Sequence, residues 1–422
     1  MRMRMSCLAV LVLAFSGAAQ AGDWPGWRGP RGDGTSADTD VPIKWSGSDN
    51  VAWKTPIPGK GHSSPIVWGD RVFVTTCLEQ DAPRPDDKAR RMLLCLDRRE
   101  GTVLWQKEVI SAKLEKRHPL NTRASSTPAA DGKHVFVTFL DAGKDRDARV
   151  IVACYDFDGN PVWQKSPGRF SSVHGFCSSP ILYKDTLIVN CDHDGDGYVV
   201  SLAKDDGTQR WRIERPNKTR SYCAPILVEA AGKKQLVLSG SNCVAAYDPD
   251  SGKQWWIING PTEQFVSSLV FLDNTLFLTA GFPTYHYMGI KPDGDGNVTE
   301  THVAWHHQVK NAREGAYVPS PIAYEKWFFA VSDDGVLNCF DARGGEWKWR
   351  EKLGKHHSGS PVLADGHLYF TADNGDTYVL KAGDKFEVVN VNPLGEECYS
   401  SPAISHGQIF IRGDKHLFCI GK

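Results

Sequence analysis

An all-β fold, assembled from one four-stranded antiparallel unit used many times, is what the sequence predicts. Three observations predict it. The first is the stretch Pro319 to Trp349, where apolar runs (Ile322 to Tyr324, Trp327 to Ser332, Val336 to Phe340, Glu346 to Trp349) are separated by turns at Glu325-Lys326, Asp333-Asp334-Gly335 and Asp341 to Gly345. Short β-branched and aromatic runs between Asp/Gly turns read as a strand meander. The second is that this unit recurs. Eight steps open it: Ser64-Pro65, Thr127-Pro128, Ser179-Pro180, Ala224-Pro225, Ser268-Leu269, Ser320-Pro321, Ser360-Pro361 and Ser401-Pro402, about forty to sixty residues apart. The third is that the last copy stops at Gly421-Lys422, one strand short, while a spare strand, Val51 to Lys54, precedes the first copy. Pairing the two ends removes a bare sheet edge. The expectation is therefore an eight-bladed β-propeller with Trp53 in its last blade.

Taken in order, Met1 to Ala21 reads as an export signal. Arg2 and Arg4 give the basic start, Leu8 to Phe15 the apolar stretch, and Ala19-Gln20-Ala21 a small-x-small cleavage site. Cys7 sits at the start of the apolar part rather than at the cleavage point, so no lipid anchor is expected and the exported chain starts at Gly22. No run reaches the ~20 apolar residues of a membrane-spanning helix. Residues 22–50 form an N-terminal extended arm, and 51–422 the propeller.

Within each copy the third turn carries Asp, then Gly four residues on, then Trp eight on: Asp97-Gly101-Trp105, Asp248-Gly252-Trp256 and Asp341-Gly345-Trp349. The third copy has Ala203 in place of the Asp, before Gly207 and Trp211, and the second is one residue shorter, Asp156-Gly159-Trp163. In the fifth the turn stretches through Gly294-Asp295-Gly296 to Trp305, and in the seventh Phe386 replaces the Trp. Asp bonds the turn's own backbone, Gly accepts positive φ, and Trp offers a flat surface to the next sheet.

Ten of the 11 cysteines follow the export signal. Cys95, Cys154 and Cys339 each stand two residues before the strand-ending Asp, and Cys419 the same distance before Gly421. A thiol repeating at one strand position behaves as a small buried apolar group. Pairing of Cys177 with Cys191, or Cys77 with Cys95, stays open. Charge is balanced, 49 basic against 50 acidic residues, and 47 against 50 once Arg2 and Arg4 are removed. That gives no electrostatic reason to expect nucleic acid, whose binders carry a concentrated basic surface. A monomer is expected.

The tryptophan turn resembles that of the pyrroloquinoline-quinone-like (PQQ-like) propeller family, over essentially Val51 to Lys422. Trp24-Pro25-Gly26-Trp27-Arg28-Gly29-Pro30, His174 to Pro180 and Ser239 to Asn242 resemble a secreted branch common in planctomycete-like bacteria. The resemblance implies an eight-bladed fold. For its quinoprotein alcohol dehydrogenases it further implies the quinone PQQ against two adjacent cysteines, with a calcium ion in the channel. For its outer-membrane assembly member it implies a protein partner. This chain has no Cys-Cys pair.

In such a meander the first strand lines the central channel. The segments leading into it open on one face with the turns between strands two and three, and the tryptophan turns lie on the other. Those lead-in segments are polar in all eight copies: His62; His118, Asn121 and Arg123; His174; Arg220 and Tyr222; Glu263 and Gln264; Arg313, Glu314 and Tyr317; His356 and His357; Glu396, Glu397 and Tyr399. The candidate ligand-binding set is His62, His118, Arg123, His174, Arg220, Tyr222, Glu263, Arg313, Tyr317, His357, Glu397 and Tyr399. Imidazoles move protons or bind metal, guanidiniums hold anions or hydroxyls, and tyrosines stack on rings. Three of the histidines could hold a metal, although no His-x-His spacing favours it. Asp192, Asp194 and Asp196, alternating before Gly197, imitate the start of a calcium loop, with Ala203 where its bidentate acid would stand; the competing reading is a tight acidic hairpin.

The functional expectation is an exported propeller that binds a small polar ligand, carbohydrate among the candidates, or a partner protein at its funnel face. The alternatives are a quinone-dependent oxidoreductase, a lyase or hydrolase using His118 or His174 as base beside Arg220, and an envelope assembly scaffold.

Overall fold

The computed structural model describes residues 22–84, 86–143 and 147–421; the export signal expected at 1–21 lies outside them. Eight antiparallel sheets are arranged as blades, and the chain visits them in order. The first comprises Ile66–Trp68, Arg71–Leu78, Lys88–Asp97 and Val103–Lys113. The last comprises Ala403–Ser405, Gln408–Arg412, His416–Ile420 and, as its outer strand, Val51–Pro56. Trp53 pairs with Cys419 and Lys54 with Phe418, so the two ends close the ring as expected. One blade departs from four strands. In the fourth, Gly296–Asn297 from the stretched turn of the fifth lies parallel to Gln254–Asn259 as an added edge.

Apolar residues of each sheet interleave with those of its neighbours, so the core is a chain of inter-blade clusters. The repeating cysteines lie inside it, and all ten described cysteines are free thiols. Burial pushes the Cys95, Cys154, Cys339 and Cys419 thiols up to about 12.

Two devices join blade to blade. The first uses the tryptophan turns. Trp53 Nε1 donates to Arg98 O in the next blade (2.8 Å), Trp105 to Phe157 O (2.9 Å), Trp163 to Lys204 O (2.7 Å), Trp211 to Pro249 O (3.1 Å), Trp305 to Ala342 O (2.9 Å) and Trp349 to Gly383 O (3.3 Å). In five receiving turns the glycine (Gly101, Gly159, Gly207, Gly252, Gly345) has positive φ and faces the docked indole, whereas Gly383, in the turn that receives Trp349, does neither. Gly101 has φ +68°, and a Cβ there would stand 2.4 Å from the Trp53 ring. Trp256 breaks the series: the added strand covers it, and it donates to Gln235 Oε1 of its own blade (2.8 Å).

The second device is a belt of hydroxyls where the inner strands begin. The amide of each opening residue donates to the hydroxyl of the next blade's: Ser64 to Thr127 (3.0 Å), Thr127 to Ser179 (2.9 Å), Ala224 to Ser268 (3.2 Å), Ser268 to Ser320 (2.9 Å), Ser320 to Ser360 (2.9 Å), Ser360 to Ser401 (2.8 Å) and Ser401 back to Ser64 (3.1 Å). The one gap falls at Ala224, which has no hydroxyl to offer Ser179.

The arm, residues 22–50, crosses the tryptophan-turn face. Trp24 exchanges both backbone bonds with Val67, Asp23 accepts from Gly69 N (2.8 Å), Asp38 from Gly407 N (3.0 Å), and Trp45 stacks on Tyr369. Arg28, 2% exposed, rises between the inner strands of blades six and seven. Its guanidinium donates to the backbone oxygens of Asp33 (2.6 Å), Pro321 and Pro361 (3.3 Å). With carbonyl dipoles and no nearby carboxylate strong enough to offset burial, its pKa falls to about 10.

Candidate functional site

Above the hydroxyl belt, on the face away from the arm, the lead-in segments surround a cavity of about 730 Å³. Trp27 of the arm reaches it from below and donates from Nε1 to Ser268 Oγ (3.2 Å). The arm thus closes the base of the channel, and what would be a tunnel is a blind funnel. Its base shows belt hydroxyls of Ser179, Ser268, Ser320, Ser360 and Ser401.

Seven of the twelve expected ligand-binding residues line this cavity: His62, His118, His174, Arg220, Tyr222, Tyr317 and Tyr399. They meet across blade boundaries. His62 stacks on Tyr399 at 4.7 Å, His118 lies edge-on to His174 at 5.7 Å, and His174 to Tyr222 at 6.2 Å. The His118 Nδ1 accepts from Leu120 N (3.2 Å), so the neutral ring carries its proton on Nε2. Tyr222 Oη shares a bond with Ser172 Oγ (2.9 Å), and Tyr317 Oη donates to Gln264 Oε1 (3.2 Å). Burial, helped by Arg412, pushes the His62 imidazole down to about 4, and burial with Arg220 and His118 lowers that of His174. Both are neutral at pH 7.

The other five turn elsewhere. Arg123 folds back onto Glu79 Oε1 (2.8 Å) and Glu115 O (2.6 Å), pinning its own segment. Arg313 runs into solvent toward Asp334 (3.9 Å), and Glu263 is exposed beside Gln264. Exposed Glu397 accepts from Tyr399 Oη (3.0 Å). His357 is buried, its Nε2 on Leu353 O (2.9 Å), while its neighbour His356 faces the funnel. Side chains of an extended segment alternate in direction, and in blade seven the even position faces inward.

Sequence reasoning overlooked Asp333, Cys177 and Trp27, which also line the cavity, and Asp373, which lies just behind it. The signal for the two carboxylates was their place in tight Asp-x-Gly turns, Asp333-Asp334-Gly335 and Asp373-Asn374-Gly375. Asp373 Oδ2 binds His356 Nδ1 (2.7 Å) and Oδ1 accepts from Ser358 N (2.7 Å). Three exposed apolar side chains, Leu120, Val173 and Phe282, stand at the rim.

The calcium expectation meets a different arrangement. Asp192 pairs with Arg215 (3.0 Å) in the interior, Asp194 with Arg220 (2.6 Å), and Asp196 with Lys218 (2.7 Å). Each carboxylate serves its own cation, and among the described residues no group of three or more His, Cys, Asp or Glu side chains is placed to hold a metal ion. A quinone site of the implied kind does not fit either. Cys177 faces the funnel without an adjacent cysteine, and burial pushes its thiol up to about 12.

Comparison with known proteins follows the same lines. The sequence profile described as "Outer membrane protein assembly factor BamB" matches residues 36–139, 89–276 and 297–419. Among solved structures, the chain is similar to BamB from Moraxella catarrhalis, with TM-score 0.59 and 12% identity over 88% of this chain and 98% of that one. It is also similar to the quinohemoprotein alcohol dehydrogenase from Comamonas testosteroni, with TM-score 0.66 and 11% identity over 96% of this chain and 82% of that one. At these identities the likeness is one of fold. No curated protein sequence matches the chain.

Proposed function

We propose, for a chain that belongs to the outer membrane protein assembly factor BamB family, that the blind funnel is a binding site for a small, neutral, polyhydroxylated ligand such as an oligosaccharide. The carrying observation is the cavity of about 730 Å³, closed below by the arm and lined by imidazoles, tyrosines and belt hydroxyls. Its volume is in the range of ordinary small-molecule sites. Charge disfavours anionic ligands, since the Asp333 carboxylate also lines the cavity. The Arg220 cation is matched by Asp194 and the His356 ring by Asp373, while His62 and His174 stay uncharged. Neutral rings and phenols then give and accept hydrogen bonds to hydroxyls, and the stacked His62–Tyr399 pair offers a face to a sugar ring.

Titration calorimetry with a panel of neutral oligosaccharides tests this. Saturable binding is expected, lost in His174→Ala with the melting temperature unchanged. Absence of binding across the panel rejects it. The exposed rim of Leu120, Val173 and Phe282 favours a second reading, in which an apolar segment of a partner protein docks over the mouth. A pull-down lost on changing Val173 and Phe282 to Ser, with sugar binding absent, selects that reading. Either function is placed in the cell envelope, with cleavage after Ala21 releasing a monomer. An export assay and the mass of the mature N-terminus check this.

A further inference from the structure

Blades six and seven carry the same local device with one difference. In blade seven, Asp373 sits in the turn between the second and third strands, and both of its oxygens are used. Oδ1 accepts from Ser358 N (2.7 Å), and Oδ2 takes His356 Nδ1 (2.7 Å) and Ser358 Oγ (2.9 Å). In blade six, Asp333 occupies the equivalent turn. Its Oδ1 accepts from Val318 N (2.9 Å) and Tyr317 N (3.3 Å), but Oδ2 has no partner among the described residues. The lead-in segment of blade seven wraps over it, His357 N donating to Asp333 O (2.8 Å), and brings His356 close enough for each to feel the other's charge. Asp333 and His356 both line the funnel. The wall between these blades therefore presents one carboxylate oxygen and one imidazole Nε2, each fixed at its other end.

We propose that this wall is an acid–base site that hydrolyses glycosides bound in the funnel, with Asp333 as general base, His356 as general acid and Asp373 as the residue that positions His356. The proposal rests on the polyhydroxylated-ligand reading above. Asp333 Oδ2 takes a proton from water, and the water oxygen bonds to the anomeric carbon. The bond from that carbon to the leaving oxygen breaks, its electron pair staying on the oxygen, which takes the proton from His356 Nε2. One water is consumed and two hydroxyl-bearing products result; the proton on Asp333 returns to His356 through solvent. An acetal suits this pair because it needs a proton on its leaving oxygen and a base on water, and no side-chain nucleophile. Ser358 Oγ, two residues from His356, donates to Asp373 Oδ2 (2.9 Å).

The protonation states agree with these roles. The bond from Asp373 holds the His356 imidazole above its ordinary range, so it is a proton donor near neutrality. Burial pushes the Asp333 carboxyl up to about 6, against its two backbone N–H bonds, so it is an ionised base above that pH. The groups facing Asp333 are His356, Asp334, Tyr317, Tyr285 and Tyr287; those facing His356 are Asp373, Asp333, Asp334 and His357.

The test uses the full exported chain with a panel of neutral 4-nitrophenyl glycosides between pH 5 and 9. Nitrophenol release is expected, with kcat/KM bell-shaped in pH. It rises through about 6 as Asp333 ionises and falls as His356 loses its proton. Asp333→Asn keeps an oxygen for the Tyr317 and Val318 amides, and it and His356→Gln each lose about 10²- to 10⁴-fold in kcat/KM. Asp373→Asn moves the alkaline limb to lower pH, which a merely structural role does not do. No release by the wild type overturns the proposal, as does a profile that Asp373→Asn leaves in place. Calorimetry of the same protein with neutral oligosaccharides separates the two failures. Binding without turnover leaves the ligand site and removes the chemistry; neither removes both.

Discussion

At the scale of single residues, environment decides which imidazoles can act. His62 and His286 are both pushed down to about 4 by burial, the second also by His306, whose Nε2 lies 2.8 Å from its Nδ1. A group whose folded pKa lies below its unfolded value of about 6.5 leaves the unfolded chain binding the proton more tightly. Each therefore favours the fold fully above pH ~6.5 and loses that contribution as pH falls toward 4. Chemical denaturation of His286→Gln between pH 7 and 4 should show a shallower loss of stability than the wild type, by at most about 3 kcal/mol over that window. An unchanged slope would mean that the ring is hydrated in the folded state. His356 shows the opposite sign because Asp373 stands against it. Residue identity alone shows none of this. The lead-in segments were legible as polar, but choosing His357 over His356 picked the buried face. These segments have no ladder of their own, and their facing is set by a bond from the neighbouring blade, here His357 N to Asp333 O.

At the scale of elements, the tryptophan turn and the opening Ser-Pro step were readable because each repeats, and each proves to be a joint between blades. The belt makes the stronger prediction. Removing the Ser320 hydroxyl leaves the Ser268 amide without its buried acceptor, which costs about 1–3 kcal/mol. Ser320→Ala should lower the midpoint of denaturant unfolding accordingly, and Ala224→Ser, which supplies the missing acceptor to Ser179, should raise it or leave it level. A neutral Ser320→Ala would show that water replaces the belt. The stretched fifth turn was legible only as an irregularity. That it would add a strand to blade four could not be read, since a two-residue parallel pairing leaves no periodic trace.

At the scale of the whole molecule, closure depends on one strand borrowed from the other end of the chain. Val51–Pro56 supplies the last blade's outer ladder and Trp53, which docks on the first blade's turn. Trp53→Ala removes a buried indole and its bond to Arg98 O, a loss of about 3–5 kcal/mol for such a truncation. It should make unfolding begin at the junction of the first and last blades, seen as early hydrogen exchange in His416–Ile420. Exchange that starts elsewhere would place the weak seam at another boundary. The ring and its size were legible from the count of opening steps and the missing strand. The role of the arm was not: Trp27 and Arg28 belong to no repeat, and only the folded ring shows what they fill.

That filling has a consequence for any long chain that visits the molecule. Trp27 stands behind the axle hole, so a polymer threaded through the wheel and past the blades would have to displace it. With that indole in place, such a chain offers a terminus to the bottom of the cup and withdraws by the same doorway. If the funnel binds as proposed, it takes ends and short pieces, one at a time.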